Sequence, residues 1–112
     1  MKNKMKIAVP TNDRDIITPR SGRTKGFLIL TINGSEIVDT DYRLNPHDHD
    51  KEEKKHVHSH GSLMKVLKDC EVMVGNRVGS HLKEDLDAAG ISIYLSKEKE
   101  VNVAVREYLD QL

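Results

Sequence analysis

The chain has 112 residues, enough for one modest hydrophobic core, and we predict a single domain over residues 1–112. Lys+Arg and Asp+Glu both total 18, so the formal net charge is zero, and neither nucleic acid nor an anionic membrane is expected as a partner. The apolar runs are too short to span a bilayer or to form a signal peptide. The single cysteine cannot form an internal disulfide, which predicts a cytoplasmic protein in a reducing compartment.

In chain order, the first part of the sequence predicts three antiparallel strands. Lys6–Pro10 is a short apolar run that ends at proline, and a long polar connection with several arginines follows it. Phe27–Ile32 is the second strand, and Asn33-Gly34 is a strong hairpin signal because both residues tolerate positive φ. The chain then returns through a more polar strand, Ser35–Tyr42.

The second part of the sequence alternates helices with strands. Apolar residues at helical spacing predict a helix over Ser62–Cys70, and Glu71–Gly75 is a short buried strand. Ser80 is the expected N-cap of a second helix, a strand follows over Ile91–Leu95, and a closing helix occupies Glu100–Leu112. The order β-β-β-α-β-α-β-α predicts an α/β fold with a mixed five-stranded sheet and helices packed on its faces.

Three polar loops are expected to meet at one edge of this sheet. The first, third and fourth strands run in the same direction if the fourth follows a right-handed crossover. The connections Thr11–Lys25, Leu44–Gly61 and Asn76–Ser80 then open at the edge where ligands bind in open α/β sheets. The histidines and arginines in these connections make that edge the predicted binding site.

The histidine-rich loop is the most unusual feature of the sequence, since five of the six histidines lie in the run HDHDKEEKKHVHSH. Alternate residues share one face of an extended chain, and residues four apart share one face of a helix, so several imidazoles can converge on one ion. Imidazole with carboxylate suits zinc, copper, nickel and iron without selecting among them. The alternative is a solvated charged loop without a ligand role. The predicted metal ligands are His47, His49, His56, His58 and His60.

Other residues near this edge are candidates for binding an anion or a cofactor. Gly75–Ser80 is a glycine-bounded turn from a strand into a helix, where free backbone N–H groups attract anions, although a tight turn also needs glycine. Arg77 adds positive charge there, and Arg20 and Arg23 add it on the first long connection. Cys70 is expected to be a buried thiol, with ligation of a soft metal or cluster as the alternative.

These residues together resemble the dinitrogenase iron–molybdenum cofactor biosynthesis family. The resemblance runs from Met5 to Leu112 and rests on KIAVPTND, the Gly-Arg before FLIL, Asn45-Pro46 before the histidines, and LKDCEVMVGNRVGSHLKEDLDAAGISIY. It implies a ribonuclease H-like three-layer fold and a non-catalytic protein that binds or carries an iron–sulfur or iron–molybdenum cluster. The family usually has His-Phe before Gly-Arg, where this chain has Arg20 and Ser21. The two arginines of this motif could pair with the charge of an anionic cluster.

Three hypotheses on function follow from these residues. The first is a metal or metallocluster binding protein, with the loop histidines as ligands and Arg20, Arg23 and Arg77 as a positive rim. The second is an interaction module of the same fold, whose rim docks a partner protein while metal binding is incidental. The third is a binder of small anions at Gly75–Ser80. A nuclease is not expected, because the first strand carries no carboxylate to hold catalytic metal ions.

Overall fold

The protein is built on a mixed β-sheet with helices on both faces, seen in a computed structural model that describes residues 4–45 and 60–112. The strands are β1 (Lys4–Pro10), β2 (Gly26–Asn33), β3 (Glu36–Leu44), β4 (Val72–Gly75) and β5 (Ser92–Leu95). The helices of the described residues are α1 (His60–Leu67), α2 (Ser80–Ala88) and α3 (Val101–Asp110). None of these helices is long and apolar enough to cross a membrane. The predicted α/β class and element order are confirmed, whereas the ribonuclease H-like designation stays a prediction.

The strand directions place several connections at one edge of the sheet. The strand order is β3-β2-β1-β4-β5, with antiparallel pairing of β2 to both β1 and β3. Strand β4 pairs in parallel with β1 and with β5. All strands except β2 therefore point the same way, and we call the edge where they end the carboxyl edge. The connections that follow β1, β3 and β4 leave from this edge, as predicted.

The two faces of the sheet bury two separate cores because alternate residues of a strand point to opposite faces. Ile7 and Val9 of β1 pack in the core under α3, together with Val105. Ala8 points to the other face and packs in the core under α1 and α2. Because β1 is central and covered on both faces, its sequence is a continuous apolar run rather than an alternating one.

The hairpin between β2 and β3 forms as predicted, but its turn lies one residue further on. Asn33 still pairs with Glu36, so the two turn residues are Gly34 and Ser35. Only Gly34 of these takes a positive φ, at 70°. One glycine with that backbone conformation is therefore enough for the reversal, and Asn33 remains in the strand.

Several helix ends differ from the sequence prediction, among them the start of α2 and the end of α1. Helix α2 begins at Ser80 itself, so Gly79 is the N-cap and makes no side-chain capping hydrogen bond. Helix α1 ends at Leu67 rather than continuing to Cys70, because the Cys70 N–H bonds to the Leu67 carbonyl at 2.9 Å and tightens the last turn. The start of α2 is consequently left without the serine cap that the sequence predicted.

Candidate functional site

A pocket opens at the carboxyl edge between the connection after β1 and the start of α2. Its volume is about 680 Å³, within the usual range for small-ligand sites. It is lined by Arg20, Ser21, Arg23, Arg77, Val78, Gly79, Ser80, His81 and Leu82. These lining residues include three arginines and no carboxylate, so the local field favours an anion. We call this site the arginine pocket.

The connection after β1 is an ordered structure rather than a loose loop. The Asp13 carboxylate accepts hydrogen bonds from the Asp15 and Ile16 N–H groups, each at 2.9 Å, and these bonds lower the pKa of Asp13 below its usual value. The Thr11 hydroxyl donates to the Ile16 carbonyl at 2.6 Å. Ile17 is buried in the core under α3. These contacts anchor the backbone that leads to the pocket.

A single 3₁₀ turn, Ser21–Arg23, brings the arginines of two connections together. The Ser21 N–H donates to the Arg77 carbonyl at 3.1 Å, and the Arg23 N–H donates to the Arg20 carbonyl at 3.0 Å. The side chains of Arg20, Arg23 and Arg77 are exposed to solvent. The three predicted rim arginines thus line one pocket, although Arg77 lies more than fifty positions after the other two in the chain.

The amino terminus of α2 forms the other wall of the pocket. The first four N–H groups of a helix have no acceptor within the helix, and here they belong to Gly79, Ser80, His81 and Leu82. All four of these residues line the pocket, and no acidic residue lies in the first turn. These donors and the positive end of the helix dipole add to the attraction that the arginines exert on an anion.

Ser21 lines the pocket, although it was not among the predicted site residues. It is 1% exposed, and its hydroxyl has no hydrogen-bond partner among the described residues. A Cβ on Gly75 would lie only 2.9 Å from Ser21 Oγ, so glycine at the end of β4 makes room for this serine. The position of Ser21 between two arginines was visible in the sequence, but its burial depends on contacts with β4.

Most of the histidine-rich loop lies outside the described residues. His47, His49, His56 and His58 lie outside the described residues, and the side chain of His60 is not described. The described residues that flank the loop can be placed. Asn45 is tied to the connection after β1, where its side-chain amide donates to the Thr24 carbonyl at 2.9 Å.

The last residue of the histidine run, His60, is the first residue of α1. The chain that follows α1 enters β4 at the edge opposite to the carboxyl edge. After α1, the Glu71 N–H donates to the Lys6 carbonyl at 2.9 Å, near the start of β1. The attachment through Asn45 is therefore the one that lies on the side of the sheet where the arginine pocket opens.

Cys70 does not join the arginine pocket. It lies at the amino end of β4 in the core under α1 and α2, and Gly75 at the carboxyl end is about 16 Å further along the strand. Burial, followed by the nearby Asp69 carboxylate, raises the pKa of the Cys70 thiol to about 12. The thiolate is the form that binds metals, so this environment favours the buried-thiol interpretation over ligation.

Cys70 of the native protein should therefore be alkylated very slowly. At pH 8, we expect iodoacetamide to modify it on the order of 100-fold more slowly than in urea-unfolded protein, since both burial and the raised pKa suppress the thiolate. Mass spectrometry over time gives the two rates. Equal rates in the folded and unfolded chains would show that the thiol is accessible and able to act as a ligand.

The described part of the chain does not by itself provide a metal centre. Within residues 4–45 and 60–112, no group of three or more His, Cys, Asp or Glu side chains is placed to hold a metal ion. The arginine pocket instead offers positive charge and hydrogen-bond donors. Such a donor set fits the outer surface of an anionic ligand rather than a bare cation.

The fold and the pocket define a small α/β protein with an anion-attracting site at the carboxyl edge of its sheet. The chain belongs to the family described as dinitrogenase iron-molybdenum cofactor, whose model matches residues 3–111. Membership agrees with the resemblance seen in the sequence, and the family name links the chain to the iron–molybdenum cofactor. Among curated proteins, none is significantly similar in sequence.

Solved structures share the fold over nearly the whole chain. The apo form of the orange protein from Desulfovibrio gigas has a TM-score of 0.73 at 25% identity, over 99% of this chain and 92% of that one. A proposed dinitrogenase from Methanocaldococcus jannaschii has a TM-score of 0.75 at 16% identity, over 97% and 91%. A proposed NifB protein from Thermotoga, assigned to the DUF35 family, has a TM-score of 0.72 at 20% identity, over 95% and 88%.

Proposed function

We propose that this chain is a non-catalytic binding or carrier protein for an iron–molybdenum or iron–sulfur type metallocluster. The observation that carries the proposal is the arginine pocket, where three guanidinium groups and an uncapped helix start face a cavity without a lining carboxylate. Clusters built from metal ions and sulfide commonly carry net negative charge, which such a site stabilises. Family membership supports a role related to the iron–molybdenum cofactor.

In this proposal the pocket and the histidine-rich loop have separate tasks. Arg20, Arg23 and Arg77 hold the cluster by charge and hydrogen bonds, while the loop histidines supply direct bonds to metal. The attachment of the loop on the pocket side of the sheet supports this division, since Asn45 bonds to the connection that carries two of the arginines. Exposed guanidinium groups also leave the cargo accessible for transfer, as a carrier requires. A lone buried thiol agrees with a cytoplasmic location, which we also propose.

The test is reconstitution of protein purified without a histidine tag. We expect anaerobic incubation with iron, sulfide and molybdate, followed by desalting, to give a coloured protein with bound metal by elemental analysis. Replacing the five loop histidines with alanine should remove most of the bound metal. The matched control replaces the five residues 51–55 of the same run with alanine and keeps every histidine.

Two results would contradict the proposal. A colourless wild-type protein without bound metal would exclude cluster binding under these conditions. Equal metal retention in the histidine variant and the wild type would exclude the histidines as ligands.

Because binding depends on neutral imidazole, the metal bound should also decrease as the pH falls below about 6.5.

A further inference from the structure

We propose that Thr24 is a positioning residue of the arginine pocket, where its side-chain hydroxyl fixes the segment that carries Arg20 and Arg23. The inference rests on the proposed function and deepens it, because it names a residue that prepares two of the three arginines for the cargo. Thr24 is not among the residues that line the pocket. It therefore acts on a bound cluster only through the two arginines.

The hydroxyl of Thr24 is bonded to that of Thr18 across the segment that carries the arginines. The two oxygens lie 3.0 Å apart, and the Thr24 hydroxyl donates to the Gly26 carbonyl at 2.9 Å. Because a hydroxyl has only one hydrogen, Thr24 accepts from Thr18. The Thr18 N–H donates to the Pro10 carbonyl at 2.9 Å. Both ends of segment 19–23 are therefore tied to each other, to the end of β1 and to the start of β2.

Thr24 also contacts the segment from which the histidine run begins. Its residue is 0% exposed, so water cannot replace its hydrogen bonds. The Thr24 carbonyl accepts from the side-chain amide of Asn45 at 2.9 Å, and Asn45 is the last described residue before the run. Next to Thr24, the Lys25 N–H donates to the Asn12 side-chain oxygen at 2.8 Å. Thr24 thus joins the connection that carries two arginines to the end of β3.

The arginine segment needs such support because it is short and its charged side chains are free. The side chains of Arg20 and Arg23 are exposed, so their positions depend on the backbone that carries them. That backbone forms one 3₁₀ turn, whose internal bond runs from the Arg23 N–H to the Arg20 carbonyl at 3.0 Å. A turn of this length is not stable alone. Fixing its ends before binding lowers the entropy that a cargo must offset.

The substitution Thr24→Val removes the hydroxyl and nearly keeps the shape of the side chain. The fold should tolerate it, because the groups that bonded to the hydroxyl have other partners. The Thr18 hydroxyl lies 3.3 Å from the Asn12 side-chain oxygen, and the Gly26 carbonyl also accepts from the Thr11 N–H at 3.1 Å. If Thr24→Val does not fold, Thr18→Val removes the same bond from a half-buried position and replaces it in both experiments.

The first experiment measures amide hydrogen exchange by nuclear magnetic resonance in the full-length protein without metal. In Thr24→Val, we expect exchange at Ser21 and Arg23 to rise by about fivefold relative to the amides of β1, as loss of one hydrogen bond predicts. Thr24→Ser keeps the hydroxyl and should restore the wild-type rates. The matched control Thr31→Val makes the same change at a half-buried position of β2 and should leave both amides unchanged.

The second experiment measures the metal retained after anaerobic reconstitution with iron, sulfide and molybdate. Thr24→Val should lower retention by about fivefold, and Thr24→Ser should restore it. The same substitution is then made in a protein that carries Arg20→Gln and Arg23→Gln. There it should lower retention less than about twofold, because residues that act as one unit do not have additive effects.

The outcomes separate this inference from the proposed function. Unchanged exchange at Ser21 and Arg23 in Thr24→Val overturns the positioning role, whatever the metal content. An equal loss of metal with and without the two arginines also overturns it, since Thr24 then acts on stability in general. If the wild type retains no metal, the proposed function fails, and the exchange rates alone decide whether Thr24 holds the arginine segment.

Discussion

Replacing Arg77 with glutamate is expected to lower the retention of a reconstituted metallocluster by at least about tenfold. The change removes a guanidinium group from the pocket and adds a carboxylate beside the start of α2, where a negative side chain competes for the same N–H groups. Arg77 is exposed and its contact with Ser21 uses only its backbone carbonyl, so the fold should tolerate the substitution. Elemental analysis after desalting measures the metal retained.

The control for this prediction is Arg106→Glu, which makes the same charge change on the exposed side of α3. It should retain metal as the wild type does, because exposed charges separated by more than a Debye length of about 8 Å are largely screened at physiological salt. Equal loss in both variants would mean that net charge alone governs retention. Unchanged retention in Arg77→Glu would remove the arginine pocket from the proposed site.

The substitution Gly26→Ala should destabilise the fold by about 3 kcal/mol. Its Cβ would lie 2.6 Å from Tyr42 Cζ and Oη and 2.7 Å from the Arg43 carbonyl oxygen, so the ring and the backbone of β3 must both move. The ring has little freedom, because the Tyr42 hydroxyl donates to the Thr11 carbonyl at 2.7 Å. Thr11 begins the connection that leads to the arginine pocket, so a shift of this contact reaches the site.

Urea denaturation followed by circular dichroism measures this effect. The matched control is Gly79→Ala, where the new Cβ meets nothing within 4 Å and φ is an ordinary −70°, so its cost should stay below about 1 kcal/mol. Tyr42→Ala removes one of the two clashes, and the double variant should cost less than the sum of the single ones. Equal unfolding free energies for the two glycine variants would show that β3 and the Tyr42 ring move aside without a measurable loss of stability.

Periodicity was sufficient to predict the class, the element order and the strand directions of this fold. The run Lys6–Pro10 was identified because a central strand covered on both faces is continuously apolar. Local sequence patterns predicted the ends of the helices less accurately than their presence. Ser80 was a plausible N-cap by residue type, yet the helix begins there and leaves its first N–H groups free, because Gly79 takes the extended cap conformation. The β4-to-α2 turn is also held from a distant part of the chain, because the Ser21 N–H donates to the Arg77 carbonyl.

Some residues of the candidate site were likewise identified from the sequence, whereas others are explained only by contacts between distant parts of the chain. Residue types alone identified Arg20, Arg23 and Arg77, and the alternation of strands and helices placed their connections at one edge. The histidine run remains a prediction, since four of its five predicted ligands lie outside the described residues and the side chain of His60 is not described. Ser21 could not be found from sequence, because its burial depends on Gly75, more than fifty residues away, and on the backbone bond to Arg77.

The sequence by itself determined the family, the α/β order and the positive character of the edge, because each follows from patterns within a few residues of one another. Only the tertiary structure decided which donors share a cavity and which lack partners. Pairing of β1 with β4 brings the arginine turn against the start of α2, and it leaves Cys70 at the other end of the strand. Those are long-range contacts, and no local pattern of residues specifies them.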